Sequence, residues 1–280
     1  MCVAGAVVLL IGIAAAKREI ARAQGLDKIL ALANVCVAVP LAMFGALHLF
    51  GPQFVRNIVP AYMPWRMFWV YGVGCALIAA SVSVAAQVLV RWSGLLFAIM
   101  MFLFVAMIHF PGALAQPHNR IIWTIVFRET SFGGAGLILA GYTALGRACV
   151  TAAMLAFGIE HFLHPMGLPG VPLVRQTPAW VPGRQLIDYL TGAALLTGAA
   201  SVLFNRNTRT VVACVGSWLL LLVLLIYGPV LIGAVSESTV PAQVERINYF
   251  ADTLLFTGAI LTVARASETR RWYSVRRKER

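Results

Sequence analysis

The sequence predicts an all-α integral membrane protein: a polytopic transmembrane helical bundle of two parallel four-helix repeats, with an additional N-terminal helix. Hydrophobic residues make up 60% of the 280 residues and charged residues only 11%, whereas a soluble domain carries about 25% charge. Apolar runs of about 18 or more residues, each long enough to cross a bilayer, recur along the chain. The apolar segments of the first half also reappear in the same order in the second half.

Eight spans are expected between successive turn signals, at residues 29–50, 67–90, 93–110, 121–145, 148–164, 185–204, 210–234 and 247–265. The apolar stretch 2–16 is shorter and is followed by Lys17, Arg18 and Arg22. Because no basic residue precedes it and no evident cleavage site follows it, we interpret it as a ninth helix rather than a cleaved signal peptide. The predicted divisions are 1–28 (N-terminal helix and basic loop), 29–147 and 148–265 (the two repeats) and 266–280 (basic tail).

The net charge of +12 comes from short clusters of Lys and Arg between apolar segments. No continuous basic face is present, so we expect no nucleic-acid partner. Most basic residues fall in the segment 17–28, in the turns at Arg91, Arg147 and 206–209, and in the tail. Since cytoplasmic loops retain Lys and Arg, the C-terminus is predicted to be cytoplasmic. The tail is expected to contact anionic lipid through Arg270, Arg271, Arg276, Arg277 and Lys278.

Rare residues recur in register between the halves, which indicates a duplication. Aligning Cys36 with Cys149 brings Phe44, Gly45, His48 and Pro52 opposite Phe157, Gly158, His161 and Pro165. After an insertion in the second half, Pro60, Pro64, Arg66, Tyr71 and Gly74 lie opposite Pro178, Pro182, Arg184, Tyr189 and Gly192, and His109 and Tyr227 occupy matching places before Pro111 and Pro229. A further step brings Phe127, Glu129 and Thr130 opposite Phe250, Asp252 and Thr253. Because each half has an even number of spans, the repeats are expected to be parallel, about an axis along the membrane normal.

Polar side chains are costly inside a bilayer, so each is a candidate functional residue. They gather at the non-cytoplasmic level, one cluster per half, beneath proline-rich loops between residues 48 and 66 and between 161 and 184. The candidate pocket residues are His48, Arg66, Tyr71, His109, Glu129, Glu160, His161, Arg184, Asp188, Tyr189 and Asp252. Two interpretations fit them: a small-molecule, quinone or cofactor pocket under each loop, or a structural network that ties the loops down.

The two repeat-related histidines are expected to face inward beneath the loops. Imidazole facing lipid would leave polar atoms unsatisfied. The expected partners are Tyr71, Arg66 or Glu129 for His48, and Tyr189, Arg184 or Asp252 for His161.

The segment from Glu160 to His164 raises the question of a metal or haem site, since residues three apart on a helix share a face. The first half offers only His48 and no counterpart of His164. We therefore predict no metal site, with His161 and His164 as the alternative ligand pair. The five cysteines form no CxxC pair, and no nucleophile elbow or phosphate loop is present, so the sequence identifies no catalytic residue.

Three segments, His48-Leu-Phe-Gly-Pro52, Val59-Pro60-Ala-Tyr-Met-Pro64-Trp and Tyr71-Gly-Val-Gly74, resemble the DoxX-like family of small bacterial membrane proteins. The second half resembles it again at His161-Phe-Leu-His-Pro165, Thr177-Pro178-Ala-Trp-Val-Pro182 and Tyr189-Leu-Thr-Gly192. The resemblance implies a four-helix unit, here in tandem, in the bacterial cytoplasmic (inner) membrane. It also implies a link, in some members, to quinone-coupled sulfur oxidation or to membrane oxidoreductase complexes.

Three functions are consistent with the sequence. We favour a non-catalytic accessory or scaffold subunit of a larger respiratory, photosynthetic or redox membrane complex, with the bilayer and other membrane protein subunits as its partners. The first alternative is a quinone-linked oxidoreductase component in which His48, His161, Tyr71 and Tyr189 bond the quinone, the cofactor that this alternative requires. The second is a small-molecule or lipid transporter, which the apolar cytoplasmic halves of the helices disfavour.

Overall fold

The computed structural model describes the backbone of residues 1–278 and the side chains of residues 1–267. Within that part of the chain, the regular structure is helical apart from one isolated bridge between Gly167 and Gln176. Seven helical segments are long and apolar enough to cross a membrane: Asp27–Phe50, Arg66–Ala86, Val90–Ala115, Thr143–Leu163, Arg184–Leu203, Thr208–Ser236 and Val240–Ser267. The predicted all-α, multi-pass membrane architecture is confirmed.

Nine long helices run through the described residues. They are α1 (Cys2–Arg22), α2 (Ala33–Phe50), α3 (Arg66–Ala86), α4 (Val90–Phe104), α5 (Arg120–Ala140), α6 (Thr143–Leu163), α7 (Arg184–Leu203), α8 (Thr208–Leu222) and α9 (Val240–Lys278). Short helices at Asp27–Leu30 and Pro52–Arg56 flank α2. Helix α4 continues through Phe110–Ala115, and α8 continues through Gly228–Ile232.

Two of the nine helices, α1 and α5, are not among the seven candidate spans. Both form where the sequence predicts a helix, but α1 ends in a charged turn that includes Lys17 and Arg18, and α5 carries Arg128 and Glu129 at its middle. Helix α9 continues beyond residue 265, so the predicted tail is helical as far as Lys278. The tail side chains proposed to contact anionic lipid lie outside the described residues.

A π-helical turn interrupts α4 at Val105–His109, and another interrupts α8 at Val223–Tyr227. Each comes just before a proline, Pro111 or Pro229, which has no N–H for the carbonyl four residues earlier and whose ring would clash with it. In α4 that carbonyl belongs to Met107, and the Tyr62 hydroxyl donates to it at 3.4 Å.

The helices α2 to α9 form a closed ring in chain order, because each packs on the next and α9 packs back on α2. Helices α5 and α9 also pack on each other across the ring and divide it into two lobes. Lobe 1 contains α2, α3 and α4, lobe 2 contains α6, α7 and α8, and α5 and α9 form the wall between them. Helix α1 packs outside lobe 1 on α2 and α3.

Burial separates central from peripheral helices. Within the most apolar 18 residues of each span, 83% of the residues are buried in the α2 and α9 spans, against 28% in α3 and 22% in α4. Helices α3 and α4 therefore present most of their surface to lipid or to another membrane protein.

Candidate functional site

Close helix crossings position His48 and His161. A Cβ added at Gly74 of α3 would lie 2.8 Å from the His48 Cβ, and one added at Gly192 of α7 would lie 3.1 Å from the His161 Cβ. Each crossing thus brings a glycine backbone directly against the helix turn that carries the histidine. Both histidines lie at the ends of their helices, as predicted.

In lobe 2, His161 is fully buried and faces inward. Its Nε2 accepts a hydrogen bond from the backbone N–H of Gly170 at 3.0 Å. Nε2 is therefore unprotonated, and the ring proton of the neutral imidazole lies on Nδ1. Nδ1 is 3.4 Å from Oδ1 of Asp188, but the two atoms are not oriented for a hydrogen bond.

The predicted partners of His161 are corrected by this geometry. Asp188 of α7 faces the histidine, whereas the adjacent Tyr189 is 39% exposed and stacks on Phe162 with ring centroids 5.7 Å apart. Successive residues on an α-helix are about 100° apart, so the two cannot both face the lobe. Asp188 is fully buried, and neither of its carboxylate oxygens has a hydrogen-bond partner among the described residues.

The loop between α6 and α7 inserts residues 168–171, which we call the plug, into lobe 2 at the end where α6 stops and α7 begins. All four plug residues are buried. The Tyr227 hydroxyl donates to the Pro169 carbonyl at 2.8 Å. Gly170 has a φ of +120°, and a Cβ there would lie 2.9 Å from the Thr253 Cγ2, so both the conformation and the space require glycine.

The remaining polar residues of lobe 2 hold this loop in place. The Arg120 guanidinium donates to the Pro172 carbonyl at 3.1 Å and pairs with Glu160 at 3.2 Å. Arg184 donates to the Thr177 carbonyl at 3.4 Å. Glu160 and Arg184 were candidate pocket residues, but their contacts support the loop rather than line an open space.

In lobe 1, the observed hydrogen bond of His48 does not go to Tyr71, Arg66 or Glu129, so that prediction is wrong. The Nδ1 atom instead donates to the Phe44 carbonyl of its own helix at 2.8 Å. His48 and Arg66 are half-buried, and Tyr71 is 42% exposed. Alignment of the halves places Val70 opposite Asp188, so no carboxylate of α3 faces His48 from that position.

An ion-pair cluster joins α5 and α9, the two helices of the wall between the lobes. Arg128 of α5 pairs with Glu129 of the same helix and with Asp252 of α9, each at 2.7 Å. Both carboxylates are buried. His109 lies at the lobe 1 side of the cluster, within electrostatic reach of Glu129 and Arg128. The structure thus divides the candidate pocket residues among three places: lobe 1, lobe 2 and this wall.

The alternative metal ligands do not converge. His161 is buried and bonded to the plug, whereas His164 is exposed and its Nε2 lies 3.9 Å from the Glu160 carboxylate. Throughout the part of the chain that the structure describes, no group of three or more His, Cys, Asp or Glu side chains is placed to hold a metal ion.

Sequence reasoning missed the plug. The dipeptide Pro169-Gly170 signals a turn, but a turn is normally expected at the surface. No protein-family model, curated protein or solved structure matches this chain.

Proposed function

We propose that this chain is a non-catalytic accessory or scaffold subunit of a larger respiratory, photosynthetic or redox membrane complex. One observation carries the proposal: Arg120, Arg128 and His161 each bind another segment of the chain itself. Arg128 is held between two carboxylates, Arg120 ties Glu160 to the loop, and His161 binds the plug. These contacts stabilise the fold by tying separate segments of the chain together.

We further propose that the chain is a tandem DoxX-like protein with parallel repeats at 29–147 and 148–265. Backbone features that recur in place support this. The turns after α3 and α7 each contain two left-handed residues, Gln87 and Leu89 in one and Asn205 and Asn207 in the other. The two π-helical turns and their prolines also recur. Helix α2 packs on α9 as α6 packs on α5, which is the pairing that a two-fold axis between the halves would produce.

The outer face of α3 supports docking to another membrane protein. It exposes small residues at helical spacing: Gly72, Cys75, Ala76 and Ala79. A Cβ on Gly72 would meet no atom within 4 Å. Small residues let transmembrane helices approach closely, and no residue that the structure describes covers this face.

Co-purification tests the proposal. A tagged chain extracted in mild detergent is expected to bring down membrane subunits of a respiratory, photosynthetic or redox complex in fixed proportion, as measured by quantitative mass spectrometry. The triple variant Gly72→Leu, Ala76→Leu, Ala79→Leu is expected to reduce their recovery at least about tenfold, equivalent to ~1.4 kcal/mol of binding. The matched control is Ala193→Leu, on the exposed face of α7.

Two results would contradict the accessory-subunit proposal. One is a wild-type chain that purifies alone. The other is a stoichiometric quinone in the purified chain together with redox turnover, which would favour the quinone-linked alternative.

We place the protein in the bacterial cytoplasmic membrane with its C-terminus in the cytoplasm, because most basic residues lie on that side. A fluorescent reporter fused after Arg280 is expected to fold and fluoresce, and alkaline phosphatase at the same point is expected to be inactive. Alkaline phosphatase inserted after His118, in the exposed turn before α5, is expected to be active. The reverse pair of phosphatase activities would invert the proposed topology.

A further inference from the structure

We propose that lobe 1 contains a binding site for the backbone amide of an extended, apolar peptide segment from a partner protein. The site consists of His48, His109 and the half-exposed residues Val105, Ile108 and Thr130, which together we call the recess. This inference rests on the accessory-subunit proposal, since it describes how a partner engages the chain.

Lobe 2 shows how such an amide is held. The C=O of Pro169 and the N–H of Gly170 belong to one peptide group. Its carbonyl accepts from the Tyr227 hydroxyl at 2.8 Å, and its N–H donates to Nε2 of His161 at 3.0 Å. Leu168 and Val171, on either side of the amide, are buried at 0% and 1% exposure. One amide is thus clamped between an acceptor and a donor, with apolar side chains packed on both sides.

Lobe 1 has the counterparts of this clamp but no plug. His48 corresponds to His161, and His109 corresponds to Tyr227. The loop between α2 and α3 is shorter than the loop between α6 and α7, and of its residues 51–65 only Val55 is buried. No segment of that loop therefore enters lobe 1 as the plug enters lobe 2.

Burial at corresponding positions shows where the plug is missing. In lobe 2, Tyr227 and Thr253 lie against the plug, and Val223 and Ile226 belong to the same hydrophobic core as Leu168 and Val171; all four are buried. Their counterparts in lobe 1 are half-exposed: Val105, Ile108, His109 and Thr130. These four positions, which are buried beside the plug in lobe 2, are therefore partly exposed in lobe 1.

The hydrogen-bonding groups of the recess match an amide. The Nδ1 atom of His48 donates to the Phe44 carbonyl, so in the neutral ring Nε2 is an acceptor, as it is in His161. His109 supplies a ring N–H as the donor in place of the Tyr227 hydroxyl. Val70, buried against Leu47 and Val55, replaces Asp188, so that position of α3 places no charge beside His48. A neutral donor–acceptor group flanked by aliphatic side chains fits these features.

The test uses a defined probe, a fluorescently labelled, amidated peptide with the sequence of residues 166–172, Met-Gly-Leu-Pro-Gly-Val-Pro. It is titrated against the full chain in lipid nanodiscs, and binding is followed by fluorescence anisotropy. We expect saturable binding that His48→Ala and His109→Ala each weaken at least about tenfold. His118→Ala, at an exposed histidine outside the recess, is the matched control and is expected to bind as wild type.

A second peptide carries N-methylglycine at the position of Gly170 and so lacks the N–H that would donate a hydrogen bond to Nε2 of His48. It is expected to bind at least about tenfold more weakly than the parent peptide. Equal binding of the two peptides, equal binding to the His48→Ala variant, or no saturable binding up to about 10 mM peptide would overturn the proposal. If the peptide does not bind but the membrane subunits still co-purify, only the recess proposal is rejected. If the peptide binds but the chain purifies alone, the accessory-subunit proposal is rejected.

Discussion

Replacing Arg128 with methionine is expected to lower the free energy of unfolding by about 3–5 kcal/mol, the range for removing one partner of a buried ion pair. The guanidinium lies 2.7 Å from both Glu129 and Asp252. Its removal leaves two buried carboxylates without a positive partner in a low-dielectric interior. Because Arg128 belongs to α5 and Asp252 to α9, the substitution also breaks the ion pair between the two wall helices.

The measurement is chemical or thermal unfolding of the purified variant in detergent, followed by circular dichroism. The matched control is Arg265→Met, since the Arg265–Glu19 pair is 37% and 40% exposed and exposed pairs contribute about 0–1 kcal/mol. The triple variant Arg128→Met, Glu129→Gln, Asp252→Asn removes every charge of the cluster and is expected to recover much of the loss. Equal stability of Arg128→Met and Arg265→Met would show that the cluster does not stabilise the fold.

Gly136→Val is expected to destabilise the protein by about 3 kcal/mol, at the upper end of typical overpacking effects. A Cβ on Gly136 of α5 would lie 2.6 Å from the Gly94 carbonyl oxygen and 3.0 Å from the Ala98 backbone nitrogen of α4. These obstacles are backbone atoms, so no side-chain rotation relieves the clash. The two helices must move apart, and lobe 1 loses the contact that closes it against the wall.

The control for Gly136→Val is Gly72→Val, also inside a long helix, where an added Cβ would meet nothing within 4 Å. We expect a change within about 0.5 kcal/mol for this surface substitution. Both variants are compared with wild type in the same detergent, by thermal unfolding and by protease resistance of the loop 116–119. If both glycine variants unfold alike, backbone approach at Gly136 does not hold α4 to α5.

Much of the fold could be predicted from the sequence because its causes are local. Long apolar segments must form helices in a bilayer, where every backbone hydrogen bond has to be made within the segment. The π-helical turns before Pro111 and Pro229 also have a local cause, because each proline removes one hydrogen-bond donor from its own helix. The placement of His48 and His161 at helix ends also follows from sequence, because a proline-rich loop begins a few residues after each.

Two expectations failed at boundaries where local signals compete. Helix α3 was expected to continue to residue 90 but ends at Ala86, because Gln87 and Leu89 adopt left-handed conformations. Helix α9 was expected to end near 265 but continues to Lys278. Hydropathy marks where a span can leave the membrane, whereas a helix ends only where its backbone hydrogen bonding stops.

The sequence by itself determined that this is a helical membrane protein and that His48 and His161 lie at the ends of their helices. Only the tertiary structure decided which polar residues meet. Asp188 rather than Tyr189 faces His161, because close packing at Gly158 and Gly192 fixes the rotation of α7 about its axis. Arg128 meets Asp252 because α5 packs on α9 across the ring. The first contact joins consecutive helices and the second joins residues 124 positions apart. Both depend on how whole helices pack, which no local pattern of residues encodes.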